Sequence, residues 1–216
     1  TVPDFKTTEE WMQLVMHEYF HSYQFSNSFF IRYFKKKIKV KEDSLNAIYS
    51  ENKWFANYLA EENDCLLTCI ATANTDSLKN NFRRFINYRL ARQKRFKALF
   101  KYDIGPFEDF WEKVEGTARY IEYYTGLSYA GFHTNSDTRC DPFFDGFKRF
   151  TSQADLPGTP NFIIRTKIMR AYYYVTGFNM CRLLDKLNVN YKNDLFNSKN
   201  KSLFKILTKS ISHLGS

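Results

Sequence analysis

Residues Trp11–Gln24 read WMQLVMHEYFHSYQ, and within them His17, Glu18 and His21 spell H-E-x-x-H. On a helix, side chains four apart leave the same face, so both imidazoles can reach one ion. Glu18 lies about 100° round from His17, which frees it from ligation and lets it face a water on that ion. The context is helical. Thr7 stands three residues before Glu10, the spacing of a capping box. The apolar residues after it do not alternate with a period of two. Met16, Tyr19, Phe20 and Tyr23 are expected to supply the contacts of a buried helix. The competing reading is a buried helix whose histidines are merely hydrogen-bonded.

The chain of 216 residues is long enough for one domain with a sizeable core. Its 44% hydrophobic and 19% aromatic content excludes a disordered chain. The net charge of +9 admits an anionic partner. Lys and Asn, however, are frequent throughout, and the one dense basic block, Lys35–Lys41, reads as a solvated loop or exposed strand. No nucleic-acid motif is present, so no nucleic-acid partner is expected. No apolar run approaches a membrane span. Cys65, Cys69, Cys140 and Cys181 form no C-x-x-C pair, so a cysteine-ligated zinc site is not expected. The sequence begins at Thr1 and not at Met. A leader or a longer N-terminal region can therefore precede it; the compartment stays open, extracytoplasmic or secreted if that segment is a leader.

Helices are expected over 8–25, from Asp43-Ser44 through Ala73 with a break near Asn63-Asp64, from Ser77 to about Tyr102, over Phe107–Tyr124 with Gly126 as the stop, over Asn161–Leu187 and over Ser202–His213. Asp76 is the expected cap of the third of these, which sets an apolar face including Leu78, Phe82, Phe85, Leu90 and Phe96 against a basic one. Ser26–Glu42 reads as a short β-hairpin segment, and 127–160 as a long loop with a short helix at Pro142–Phe150. Gly177 suggests a close neighbour inside its helix. The chain is thus expected to be one mostly α domain over 1–216, with little β.

Two histidines alone do not hold a catalytic zinc; a third protein ligand and an open position are needed. The segment Glu115–Glu122, EGTARYIE, offers one. With the H-E-x-x-H helix it resembles the gluzincin metallopeptidases, a second helix reading E-G-x-A-x-Y-x-E supplying the third ligand. The later phrase YYVTGFNMCRLL, Tyr173–Leu184, followed by Asp185, resembles bacterial, mostly helical gluzincin-like proteins. The resemblance implies a zincin-like fold with the two motif helices facing each other, and Zn²⁺ held by His17, His21 and Glu115. It also implies Glu18 as general base, Tyr173, Tyr174 or His133 as the group facing the oxyanion, and a peptide or protein substrate. The gap from His21 to Glu115 is far longer than the thermolysin-like spacing, so an inserted helical bundle is expected between them. The β-region that usually precedes the motif helix is expected to be lost or to lie outside this sequence. The small residues Gly116 and Ala118 are expected to let the motif helix approach Glu115, leaving Glu122 to orient a ligand histidine or to pair with Arg119. Against this reading stand a zincin-like domain that keeps its metal without catalysis, and a solvated helix carboxylate at Glu115.

Overall fold

The computed structural model describes residues 6–27, 42–130, 140–146, 169–193, 195–196 and 202–212. Eight α-helices are seen among them, and no strand. They are α1 Thr8–Ser26, α2 Glu42–Glu51, α3 Lys53–Ala71, α4 Thr75–Phe100, α5 Gly105–Trp111, α6 Thr117–Tyr129, α7 Met169–Lys186 and α8 Leu203–Ser212. A single π-helical turn, Glu112–Gly116, joins α5 to α6. The hairpin segment 28–41, the loop residues 131–139 and 147–168, and His133 lie outside the described residues. The described part of the expected short helix, 142–146, is not helical.

Helix α7 is the axis of the fold. Tyr172, Val175, Phe178, Met180, Leu183 and Leu184 are all buried on it, together with Thr176 and Asn179, so nearly its whole circumference from Tyr172 to Leu184 lies inside the core. It packs on α2, α3, α5, α6, α8 and the π-turn. Helices α3 and α4 form an antiparallel pair beside it. Helix α8 closes one end through Leu203, Leu207 and Ile211, one face at four-residue spacing. Lys186 donates to the carbonyls of Cys69 at 2.9 Å and Ile70 at 2.8 Å, satisfying acceptors that the end of α3 leaves open.

The centre of the molecule depends on two glycines. A Cβ on Gly177 would lie 2.3 Å from the carbonyl oxygen of Glu112, and one on Gly116 would lie 2.4 Å from the Cα of Gly177. The close approach suggested by Gly177 is therefore present. The role expected of Gly116 is corrected: it admits α7, not the motif helix.

Several boundaries also differ. The break in the second predicted helix falls at Asn52, whose side chain donates to the Ile48 carbonyl at 2.9 Å. Asn63 instead stays helical and accepts a hydrogen bond from Asn179 at 2.9 Å, bridging α3 to α7. Asn74, not Asp76, caps α4 by accepting from the Ser77 amide at 2.8 Å. Gly126 is passed over, and α6 runs on to Tyr129. The basic face of α4 is not all outside. Arg89 and Arg92 are fully buried while Leu90 is exposed, because carboxylates on α3, α5 and the π-turn meet the two guanidiniums.

Candidate metal centre

Helix α1 starts where Thr7 accepts the Glu10 amide at 3.3 Å. It packs along α6 with an unusual inner face. Its buried residues are Glu9, Gln13, His17 and Gln24, none of them apolar. Trp11, Val15, Tyr19 and Tyr23 point outward. The expectation that Tyr19 and Tyr23 bury this helix is corrected: Tyr19 is 72% exposed. What holds α1 inward is hydrogen bonding across the seam.

Glu115 and Glu122 are seven residues apart, and both reach His17. The Nδ1–H of His17 donates to Oε1 of Glu122. Glu122 is also paired with Arg119, so it is held as an acceptor-only carboxylate and fixes the proton of His17 on Nδ1. Gln24 does the same for His21. Its Nε2 donates to the Val114 carbonyl and to Thr117 Oγ1, both at 2.9 Å. A main-chain carbonyl can only accept, so the amide orientation is settled and Oε1 must face a donor. That donor is the Nδ1–H of His21, at 2.8 Å.

In the neutral imidazoles, both Nε2 lone pairs therefore aim at Glu115. His17 Nε2 lies 3.3 Å and His21 Nε2 3.4 Å from Glu115 Oε2. That oxygen is buried and has no hydrogen-bond partner among the described residues. The three ligand atoms lie within 4.8 Å of one another. Two bonds of zinc length at a tetrahedral angle hold ligand atoms about 3.3–3.5 Å apart. The donor set therefore fits a small divalent cation: two imidazole nitrogens and one carboxylate oxygen, each with a lone pair directed inward.

Without a metal, protons fill that role. Burial pulls the His17 pKa down, but the bonds to Glu115 and Glu122 outweigh it and push it up to about 9. Burial likewise opposes the charged form of His21, and Glu115 and Gln24 raise it. Burial would raise Glu115, yet His17, His21 and Tyr174 together hold it down at about 2.

The remaining candidates separate. Glu18 is exposed on α1, and its carboxylate has no partner among the described residues. Tyr174 belongs to the cluster: its ring stacks on His17 at 5.8 Å with 11° between planes, and it bonds Glu115. Tyr173 does not. It is fully buried in the α2–α3–α4–α5–α7 core, and its hydroxyl is directed to Glu108 Oε1 at 3.5 Å. Adjacent helical residues point about 100° apart, so only one tyrosine of the pair can face the seam.

The residue that sequence reasoning missed is Gln24. Its signal was available, since it stands three residues after His21 on the same helical face. The π-turn was not legible at all. It carries Glu115, and such bulges recur at functional sites.

Comparison of the chain with protein-family models, with curated proteins and with solved structures returned no match.

Proposed function

We propose that this protein is a zinc-dependent peptidase of gluzincin type, with His17, His21 and Glu115 as the ligands. The observation that carries the reading is the convergence of three lone pairs on one buried point, with Glu18, next to His17 in the chain, left exposed. A zinc ion bound there would supply Lewis acidity towards the scissile carbonyl and a water of lowered pKa. Glu18 accepts the proton of the attacking water and returns it to the leaving amine. Glu122 and Gln24 keep the two imidazoles in the tautomer that turns Nε2 inward. Tyr174, stacked on His17, is the tyrosine best situated to donate to a developing oxyanion.

The test is digestion of a broad peptide library with and without chelator, by wild type and by Glu18→Gln. The variant should keep its metal and lose hydrolysis by several orders of magnitude. A wild-type protein that holds zinc firmly and cleaves nothing would favour a zincin-like domain that binds metal without catalysis.

A further inference from the structure

A cavity of about 490 Å³ lies between α1, α6, α7 and residues 191–193 and 195–196. None of His17, His21, Glu115 or Glu18 lines it. Phe20, on its wall, follows Glu18 by two residues and so leaves α1 about 160° round from it. The cavity thus opens on the flank of the α1–α6 seam opposite Glu18. Its volume falls in the range of pockets that take small organic molecules.

Its two ends differ in chemistry. One end is apolar and mostly aromatic: Phe20, Tyr23, Ile121, Leu195 and Phe196. Phe196 packs edge-to-face on Phe20 at 5.9 Å and on Tyr23 at 6.0 Å, which gives that end a packed aromatic wall. The other end holds unspent donors. Tyr191 is 3% exposed, and among the described residues its buried hydroxyl has no oxygen or nitrogen partner, only the Cys181 thiol, a weak acceptor, beside it. Lys192 gives one N–H to Asp185 at 3.1 Å and one to the Tyr120 hydroxyl at 2.9 Å. An ammonium has three, and the Lys192 side chain is 54% exposed, so the third is open to solvent or to a ligand. The Lys192 nitrogen lies 5.8 Å from the Tyr191 ring centroid, so both donors are at the same end. Thr117 and Tyr120, also on the wall, are already engaged. Thr117 donates to the Lys113 carbonyl at 2.6 Å, and the Tyr120 hydroxyl donates to Asp185.

We propose that this cavity binds a small aromatic carboxylic acid, its ring against the wall of Phe20, Ile121 and Phe196 and its carboxylate on Tyr191 and Lys192. A buried donor without an acceptor is costly, and an anionic acceptor next to an ammonium is the group that relieves it best. The site is independent of the metal centre and of the peptidase reading.

The test uses 3-phenylpropionate as probe, with 3-phenylpropylamine as the charge-reversed control, titrated against the full chain and followed by shifts in its backbone amide NMR signals. Saturable binding of the acid below about 10 mM, with amide shifts confined to the cavity walls and no saturation by the amine, is expected. Tyr191→Phe and Lys192→Met should each weaken it about tenfold, the scale of one charge-assisted hydrogen bond. Ile121→Trp, which fills the ring end, should abolish it. Tyr191→Phe keeps the ring and the fold, so its result stands even if Ile121→Trp does not fold. No saturation by the acid, equal binding of the amine, or undiminished binding in both Tyr191→Phe and Lys192→Met would overturn the proposal.

Discussion

The molecule buries two clusters of charge, and they are built on opposite plans. Beside α7, Arg89 and Arg92 meet Glu62, Glu108 and Glu112, all at essentially zero exposure. Arg89 grips Glu112 through two bonds of 2.7 Å, and Thr176 donates to the same carboxylate at 2.9 Å. Three carboxylates face two guanidiniums, and burial pushes the Glu112 pKa up to about 7 even with Arg89 beside it. That cluster brings its own cations and leaves little for a ligand to do. In the α1–α6 seam, Arg119 neutralises Glu122, but among the described residues no lysine or arginine pairs with Glu115. Two imidazoles and a carboxylate point at one another instead. Where the chain supplies the counter-charge, a buried cluster is architecture. Where it leaves lone pairs converging, the proposed function makes the cluster a receptor for a cation.

The contrast is broken most severely from the architectural side. Arg92→Met would leave Glu62 and Glu108 buried without their principal partner. Removing one member of such a network costs about 3–5 kcal/mol, so urea unfolding should show a loss of that order or no folded protein. A loss under about 1 kcal/mol would mean the network is not the fixed element described.

The seam responds to pH above the range in which Glu112 of the Arg cluster titrates. His17 is raised from 6.5 to about 9 in the metal-free fold. A raised pKa stabilises the fold fully below the unfolded value, and that stabilisation is lost as pH rises through the folded value. Metal-free protein should therefore lose stability on the order of 3 kcal/mol between pH 6.5 and 9. Stabilisation by added zinc should grow over the same window, because deprotonated imidazoles are the ligands. Denaturant midpoints measured with chelator and with zinc across this window check both halves. A flat metal-free profile would remove the proton from the seam.

A smaller perturbation joins the two regions. Gly177→Ala drives a Cβ towards the Glu112 carbonyl, on the π-turn that also carries Glu115. Overpacking of this kind costs about 1–3 kcal/mol. Because the turn must shift, zinc affinity should fall with stability, whereas a surface substitution of equal cost would leave affinity intact. Paired unfolding and metal titrations of the two variants distinguish these outcomes.

The parts of this arrangement that are local in sequence were legible in it. The i, i+4 histidines, the Thr7 cap and the E-G-x-A phrase sit where periodicity put them, and Glu122 pairs with both His17 and Arg119. What was not legible depends on partners far along the chain. Arg89 and Arg92 read as solvated until the carboxylates of α3 and the π-turn are brought to them. Asn63 reads as a break until Asn179 is opposite it. Gly116 reads as a seat for the nearest motif, yet the close neighbour is α7. The polar inner face of α1 was hidden because its aromatic residues outweighed Gln13 and Gln24 in any hydrophobic reading.

The most direct test of the seam as a cation receptor is a zinc titration against a chromophoric chelator, at a pH where both imidazoles are neutral, on wild type, His17→Ala/His21→Ala, Glu115→Gln and Glu122→Gln. The account predicts about one zinc per chain in wild type and none in the double variant. It predicts a severe loss in Glu115→Gln and a loss of only about 10–100-fold in Glu122→Gln, which acts through His17. Zinc retained by the double variant, or Glu122→Gln more damaging than Glu115→Gln, would contradict it.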